Sequence, residues 1–278
     1  MTTLDPAPPF ALDIVTTGPD PRSGQILEVA LAGPRPFHAL AADAGPRVLA
    51  GLLAALGPGP VRILAHNAGF ERSFLTAWAG RLGQTLPEIE WRCTLAQARG
   101  LCPDPSLDKG LEPLAARLGL GHGDLRGAPA GAELTLRLHA ALQAWATVRD
   151  ALGQGAPLVY LAGPVRGDGS LARMRFNHGR MLAHAQWAQG VLPGATLFVP
   201  HGNFAYLDES EPSGQVRELA LRGCLRVLSR CDALVLCAAE PSPGMLLERQ
   251  LARNLGLPVF QVPGWDPEPA ARQAEGAA

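Results

Sequence analysis

The sequence has little of what a membrane or secreted protein needs. No apolar run approaches the roughly 18 residues that span a bilayer, and no basic segment followed by an apolar stretch marks a secretory signal. Cysteine is sparse as well: the five cysteines form no CxxC pair, which argues against a disulfide framework or a structural zinc site. We therefore expect a soluble, cytoplasmic protein with no membrane partner.

Lysine is nearly missing, since Lys109 is the single lysine of the chain. The 24 basic and 25 acidic residues leave a formal net charge of −1, so the protein has no overall basic character that would attract nucleic acid. Contact with a nucleic-acid end would need a local basic patch. At 278 residues, of which 47% are hydrophobic, the chain is long enough for two domains with sizeable cores.

The hydrophobic pattern changes near the linker at 153–155, Gly-Gln-Gly. Before the linker, two early strands joined by a turn rich in Pro, Asp, Ser and Gly predict an antiparallel start to a mixed sheet. After it, strands and helices alternate strictly, which is typical of a doubly wound parallel sheet of the Rossmann or flavodoxin type. We therefore predict an α/β protein with domains at 1–152 and 156–265 and a flexible tail at 266–278. The predicted strands lie at about 9–15, 25–32, 35–39, 61–65, 157–162, 195–199, 233–237 and 258–262, and the predicted helices at about 45–56, 68–82, 92–100, 107–119, 130–149, 170–190, 213–229 and 244–256.

The first motif is FALDIVTTG (10–18), in which Asp13 is a lone carboxylate inside an apolar strand. A charge in the buried part of a strand is expensive and suggests that it holds a metal ion. Together with ILEVALAG (26–33), AHNAGFERSFL (65–75) and LEPLAARLGLGHGDLRGAPAGAELT (111–135), this motif resembles the DEDDh family of 3'-5' exonucleases. The resemblance implies an RNase H-like fold for the first domain.

The same resemblance implies Mg²⁺ or Mn²⁺ as cofactor, Asp13 and Glu71 as metal ligands, and His122 as general base. The family has two further acids where this chain has Val15 and Gly127. Two dications about 4 Å apart need several anionic ligands to offset their repulsion, and two acids do not supply them. We therefore expect a vestigial exonuclease site without efficient exonuclease chemistry.

Other interpretations of these residues remain open. Asp124 is the nearest substitute for the last missing acid. Asp13 suits a strand-end acid bonded to backbone amides, and Glu28 suits a structural partner at the sheet. Alternatively, Asp13, Glu71 and His122 form an atypical metal site that still supports 3'-5' exonuclease activity.

The second motif, VYLAGPVRG, is a strand that runs into a glycine turn at Gly163 and carries Arg166. Backbone amides in such a turn can approach an anion closely, and a guanidinium adds a forked partner. Further along, in SPGMLLE, Ser242 can cap a helix whose first turn is kept open by Gly244. Glu248 follows about one turn into that helix, where a carboxylate can attack the anomeric carbon of a bound nucleotide.

These residues resemble the nucleoside 2-deoxyribosyltransferase superfamily, which includes the 2'-deoxynucleoside 5'-monophosphate N-glycosidases, over about 157–262. Further matches are the N-x-x-R of Asn177 and Arg180, the FVPH that ends at His201, and the CDALVL that contains Asp232. The 16-residue interval from Asp232 to the nucleophile position fits the monophosphate-cleaving branch, so we count Asp232 among the catalytic candidates. Gly163, Asn177 and His201 join the candidates for phosphate or nucleotide binding.

The resemblance implies that Glu248 is the nucleophile and forms a glycosyl-enzyme ester, with Tyr160 positioning the nucleophile and the sugar. It further implies that Arg166, Ser242 and Gly244 hold a 5'-phosphate and that no cofactor is needed by this domain. Relatives of this module often place a neighbouring subunit over the cleft, which makes a homo-oligomer through the second domain a candidate assembly.

One departure concerns the acid that helps the base to leave. Its place falls on residues 222–224, which contain no acid, and Glu218 lies one helical turn away as a substitute; loss of such assistance costs about 10²–10⁴ in rate. Plainer roles also fit: Glu248 can serve the helix dipole, and His201 can cap a loop. Tyr206 suits either an aromatic wall for the base or ordinary packing. Asp232 can cap a strand end, and Asn177 with Arg180 can form a structural pair.

The leading hypothesis is a nucleotide-binding protein that hydrolyses or transfers at the N-glycosidic bond of nucleotides or deoxynucleotides, fused to a degenerate exonuclease-like module. Its partners would be nucleotides and nucleic-acid ends. Two alternatives stand beside it: an active 3'-5' exonuclease with an atypical metal site, and a non-catalytic sensor of nucleotides or nucleic acid.

Overall fold

The computed structural model describes most of the chain, in five separate ranges. His122, Asp124, Tyr206 and the predicted tail at 266–278 lie outside the described residues, so the predictions made for them stay predictions. The described residues are 9–40, 45–121, 126–167, 169–203 and 214–265.

The chain divides into two compact units. Unit 1 comprises Met1–Gly100, Lys109–Pro113 and His122–Ala140, and unit 2 comprises Leu101–Asp108, Leu114–Gly121 and Ala141–Ala278. The domain ranges predicted from the motifs stay predictions.

Unit 1 contains a mixed five-stranded sheet in the order β3-β2-β1-β4-β5. Strands β1, β2 and β3 pair antiparallel, while β4 and β5 run parallel to β1. The predicted antiparallel start to a mixed sheet is confirmed. The strands of unit 1 are β1 (Phe10–Thr16), β2 (Ile26–Ala32), β3 (Phe37–Leu40), β4 (Val61–Ala65) and β5 (Ile89–Cys93).

The core of unit 1 forms where two helices cover this sheet. Helix α1 (Gly45–Leu56) buries leucines on one face, and helix α2 (Ala68–Arg81) buries Phe74 and Leu75. These side chains join inward-facing residues of β1 and β2, such as Leu12 and Val29, in one apolar cluster. Burying such side chains contributes about 1.5–3 kcal/mol each before the entropy of folding is subtracted.

Unit 2 contains a four-stranded parallel sheet in the order β7-β6-β8-β9, as predicted. The chain passes from β6 to β7 on one side and then crosses to β8 on the other. The order therefore reverses between β6 and β8, and the crevice at the carboxyl ends of such strands is where open parallel sheets bind ligands. The strands are β6 (Leu158–Ala162), β7 (Thr196–Phe198), β8 (Ala233–Cys237) and β9 (Val259–Val262).

Two short elements were not predicted from the sequence. Strand β5 was assigned in part to the following helix, because its residues alternate only between half-buried and exposed at a sheet edge and leave no strong apolar pattern. Helix α7 is a single turn. None of the described helices is long and apolar enough to cross a membrane. The remaining helices are α3 (Thr94–Leu101), α4 (Leu111–Arg117), α5 (Ala128–Leu152), α6 (Leu171–Val191), α7 (Pro200–Asn203), α8 (Gln215–Leu228) and α9 (Pro243–Asn254).

Candidate functional site

A cavity of about 450 Å³ opens in unit 2 at the carboxyl ends of β6 and β8. Glu248 is the one acid among the described residues that line it. Two arginines, Arg166 and Arg217, also line it, so the wall favours an anionic ligand. The lining residues are Ala162, Gly163, Pro164, Val165, Arg166, Gly167, His178, Pro200, His201, Arg217, Ala220, Leu221, Cys224, Ser242, Pro243, Gly244, Met245 and Glu248.

The turn after β6 forms one wall of the cavity. A Cβ at Gly163 would lie 2.5 Å from the Sδ of Met181, so only glycine fits there without a shift. The side chain of Asn177 donates a hydrogen bond of 3.0 Å from Nδ2 to the carbonyl of Val165, and the cavity wall does not include Asn177. Asn177 therefore holds the turn that carries Arg166, whereas the sequence predicted direct nucleotide binding.

The amino end of α9 forms the opposite wall. Ser242 caps the helix, its Oγ accepting from the backbone amide of Met245 at 3.4 Å, and Pro243 opens the first turn. A Cβ at Gly244 would meet nothing closer than the Oγ of Ser242, at 4.0 Å. Packing within the protein therefore does not require glycine at 244, and its bare backbone leaves room in the cavity beside a helix end that attracts anions.

Glu248 and Tyr160 meet at the inner end of the cavity. The hydroxyl of Tyr160 donates to Oε1 of Glu248 at 2.5 Å. Glu248 is 6% exposed and Tyr160 is fully buried, with its ring 5.4 Å from that of Phe198 on the neighbouring strand. The phenol also forms a side-chain hydrogen bond with Cys224 of α8. The structure thus brings the predicted nucleophile and its predicted positioner into direct contact.

Burial and this hydrogen bond act on the pKa of Glu248 in opposite directions. Desolvation raises the pKa of the carboxyl, the hydrogen bond from Tyr160 lowers it, and the result is about 7. Burial, together with the nearby Glu248 carboxylate, raises the pKa of Tyr160 well above its ordinary value. Tyr160 therefore stays a neutral donor, while Glu248 changes its charge near neutral pH.

Two histidines line the cavity beside the turn after β6. His201 follows the short strand β7 and is 2% exposed. Its Nε2 lies 3.2 Å from the carbonyl of Pro164, and the ring of His178 packs edge-on against it at 5.4 Å. Burial lowers the pKa of both imidazoles, that of His201 to about 4, so His201 is neutral at physiological pH.

Asp232 lies at the opposite end of the sheet, so its predicted catalytic role is corrected to a structural one. It immediately precedes β8, and its Oδ2 accepts from the amide of Leu158, the first residue of β6, at 2.7 Å. Glu248 faces the carboxyl ends of the same strands. Strands of five residues at about 3.3 Å per residue keep the two carboxylates far apart. The contact joins the amino ends of β6 and β8.

Glu218, the predicted substitute for the leaving-group acid, does not line the cavity. Its side chain is 71% exposed and pairs with Arg222 one turn later, at 2.7 Å. The inner face of α8 instead presents Arg217, Leu221 and Cys224, which sequence reasoning missed. Their spacing of four and then three residues is the period of one helix face and was the available indication.

Arg180, the arginine of the N-x-x-R motif, has a packing role. The guanidinium of Arg180 lies 4.4 Å from the ring centre of Trp265 and 5.3 Å from that of Phe176. Stacking of this kind stabilises helix α6 against the end of the chain that follows β9. Arg180 is thus separated in function from Asn177, which bonds the turn after β6.

In unit 1, the two predicted metal ligands lie near each other, Glu71 buried and Asp13 half-buried. Asp13 packs so closely on α5 that a Cβ at Gly131 would collide with its carboxylate. Burial raises the pKa of Asp13 to about 6, and burial together with the Asp13 charge raises that of Glu71 to about 8. The Oε2 atom of Glu71 is buried and has no hydrogen-bond partner in the described part of the chain.

Glu28 fills the space that a side chain at position 127 would take. Its carboxylate lies about 3 Å from the place of a Cβ on Gly127, accepts from the amide of Ala128 at 3.0 Å, and contacts Nε2 of His38 at 2.7 Å. Glu28 is therefore the structural partner that the sequence offered as one of its roles. It caps the start of α5.

The donors among the described residues of unit 1 do not fit a pair of divalent ions. A smaller cavity of about 340 Å³ is lined by Asp13 and Glu112 among others. Among residues 9–40, 45–121, 126–167, 169–203 and 214–265, no group of three or more His, Cys, Asp or Glu side chains is arranged to hold a metal ion. The carboxylate of Glu28 is already engaged by His38 and by the amide of Ala128, so it does not add a metal ligand beside Asp13.

A family model matches the part of the chain that forms the cavity of unit 2. Residues 157–262 match the family model of a domain of unknown function, DUF7768. A search of the curated proteins found no match. The match extends from the start of β6 to the end of β9.

Proposed function

We propose that unit 2 binds a nucleotide in the cavity at the carboxyl ends of β6 and β8 and cleaves its N-glycosidic bond, with Glu248 as nucleophile. The observation that carries this proposal is the buried 2.5 Å contact between Tyr160 and Glu248 within a cavity that also presents Arg166 and the amino end of α9. The resemblance to the nucleoside 2-deoxyribosyltransferase superfamily, with its Rossmann-like fold, agrees with this arrangement.

The reaction follows from the positions of these groups. The phosphate binds to the guanidinium of Arg166 and to the free amides at the start of α9, near Ser242 and Gly244. An ionised Oε of Glu248 bonds to the anomeric carbon as the bond from that carbon to the base nitrogen breaks, and the electron pair of the broken bond goes to the base. Water then hydrolyses the glycosyl ester, so no cofactor takes part.

The departing base must gain a proton. No carboxyl among the described residues of the cavity wall supplies it, because Glu248 is the nucleophile and Glu218 points to solvent. The imidazole of His178, the hydroxyl of Ser242 and the thiol of Cys224 are protic groups of the wall, and water can enter through the cavity opening. A rate below that of an enzyme with a dedicated acid, by about 10²-fold or more, is therefore expected.

The decisive experiment is base release from a panel of ribo- and deoxynucleoside 5'-monophosphates, followed by chromatography with and without EDTA. We expect release that is insensitive to EDTA and falls by at least about 10³-fold in Glu248→Gln. Glu240→Gln is the matched control, since Glu240 is exposed and lies outside the cavity wall. Tight binding with no release from any nucleotide would replace the glycosidase with a nucleotide sensor.

For unit 1 we propose an RNase H-like fold that retains the exonuclease architecture without its two-metal chemistry. The mixed sheet and the paired acids Asp13 and Glu71 support this proposal, as does the use of Glu28 as a helix cap. Shortening of a labelled oligonucleotide in Mg²⁺ or Mn²⁺, lost in Asp13→Ala, would overturn it and establish the exonuclease alternative.

A further inference from the structure

His201, a residue of the cavity wall in unit 2, has a ring nitrogen without a hydrogen-bond partner within the ranges that the structure describes. Its Nδ1 is buried and has no hydrogen-bond partner among the described residues, although the ring belongs to the cavity wall. Buried polar atoms are nearly always hydrogen-bonded. An orphaned nitrogen in a ligand-sized cavity therefore indicates that the partner arrives with the ligand.

The hydrogen-bonding role of that nitrogen is fixed by the other side of the ring. The carbonyl of Pro164, 3.2 Å from Nε2, can only accept, so Nε2 carries the proton. A neutral imidazole has one N–H, which leaves a lone pair on Nδ1. Because burial keeps the pKa of His201 near 4, the ring does not gain a second proton at physiological pH.

An acceptor cannot bind phosphate, which is itself an acceptor. The sequence placed His201 among the candidates for phosphate or nucleotide binding. Because its Nδ1 is an acceptor, His201 does not bind the phosphate. The ligand group that meets Nδ1 must instead be a neutral hydrogen-bond donor.

The position of the ring in the cavity wall indicates which part of the ligand supplies this hydrogen-bond donor. A Cβ at Gly163 would lie 3.4 Å from Cε1 of His201, so the ring packs on the start of the turn. This turn follows the strand of Tyr160 and leads to Arg166. In the proposed function, the Tyr160–Glu248 pair marks the anomeric carbon and Arg166 marks the phosphate. The sugar lies between these two groups of the ligand.

We propose that Nδ1 of His201 accepts a hydrogen bond from a sugar hydroxyl of the bound nucleotide and so selects ligands that carry that hydroxyl. This inference rests on the proposed nucleotide site and adds its specificity. Pro164 sets the tautomer, and the ring of His178, packed edge-on at 5.4 Å, holds the imidazole plane.

The test measures binding by calorimetry in a Glu248→Gln background, which prevents turnover, with adenosine 5'-monophosphate and its 2'-deoxy, 3'-deoxy and 2',3'-dideoxy analogues. We expect removal of one particular hydroxyl to weaken binding about 3- to 10-fold. In His201→Gln, the amide nitrogen can replace Nε2, but no acceptor stands at the Nδ1 position. The full ligand should therefore bind this variant as weakly as the analogue that lacks the hydroxyl. His201→Asn, which returns an amide near Nδ1, should recover part of the discrimination.

A hydroxyl series that binds with equal affinity, or discrimination unchanged in His201→Gln, would overturn the proposal. The proposal would also be overturned if affinity depended on the amino group of the base, which is tested with the purine analogue that lacks this group. A second measurement protects against a variant that fails to fold: histidine ¹⁵N spectra of the unsubstituted protein should show protonated Nε2 and an Nδ1 resonance that moves only with ligands carrying the hydroxyl. The same experiments distinguish failure of the hydroxyl contact from failure of the glycosidase. If the unsubstituted protein discriminates between the analogues but releases no base, the glycosidase is refuted and the hydroxyl contact stands.

Discussion

Tyr160 and Glu248 are 88 residues apart in the sequence, and their side chains form a buried hydrogen bond of 2.5 Å. Tyr160 comes from the centre of β6, and Glu248 comes from the second turn of α9. The pair holds a carboxyl whose pKa, near 7, makes its charge depend on small changes of environment.

Removing the phenol should change the pH dependence of base release. The hydrogen bond from Tyr160 favours the carboxylate, so Tyr160→Phe raises the pKa of Glu248 further above its present value of about 7. A nucleophile must be ionised, so the acidic limb of the pH–rate profile should move upward by about one unit. Activity at pH 7 should then be roughly 5-fold lower. A profile of unchanged shape in the variant would show that the contact does not tune the nucleophile.

Gly244→Ala should change stability and binding in opposite directions. A methyl group at 244 meets no protein atom closer than 4.0 Å, and alanine favours the helix over glycine, so the free energy of unfolding should rise by about 0.5–1 kcal/mol. The same methyl narrows the phosphate end of the cavity and should weaken nucleotide binding about 10-fold. Gly69→Ala is the matched control. Gly69 is the exposed second residue of α2, and a Cβ there would also meet nothing within 4 Å. This variant should stabilise the protein without affecting nucleotide binding.

Arg166→Ala should weaken the binding of nucleotides and leave the binding of nucleosides unchanged. The guanidinium lies at the rim of the cavity, where a charge-assisted bond to phosphate contributes about 1.5–3 kcal/mol. Paired titrations with a nucleoside and its 5'-monophosphate measure the difference. Arg175→Ala, an exposed arginine of α6 outside the cavity wall, serves as the control; equal losses for both ligands would assign Arg166 to another part of the ligand.

Glu71→Gln should stabilise the protein in alkaline solution. The pKa of Glu71 rises from 4.5 to about 8 on folding, so the folded state binds this proton more tightly than the unfolded chain. The stability that this proton supplies is complete below about pH 4.5 and is lost as the pH rises through about 8. Glutamine keeps the neutral form, so the free energy of unfolding at pH 9 should rise by about 1–3 kcal/mol.

Urea unfolding at pH 5 and at pH 9 checks this expectation, because the difference between the two proteins should shrink at the lower pH. Glu88→Gln, a change of the same charge at an exposed position, should have little effect at either pH. A Glu71→Gln curve that runs parallel to that of the unsubstituted protein would mean that the buried carboxyl stays ionised in the folded state.

The sequence by itself determined most of the helices and strands and much of the cavity wall. Strict alternation of apolar strands with helices predicted the parallel sheet, and Ser242 with Pro243 fixed the start of α9 through cap chemistry that needs no distant partner. Once that start was known, helical spacing placed Glu248 within reach of the cap. These are local properties, which depend on backbone sterics and on neighbours along the chain.

The tertiary structure decided what depends on partners from distant parts of the chain. It placed Asp232 at the amino ends of the strands, because strand register sets which residues share an edge. It also turned Glu28 into the cap of a helix 100 residues away and fixed the tautomer of His201 through the carbonyl of Pro164. Whether a polar side chain binds a ligand or satisfies the backbone is set by the atoms that surround it, and only the folded chain brings those atoms together.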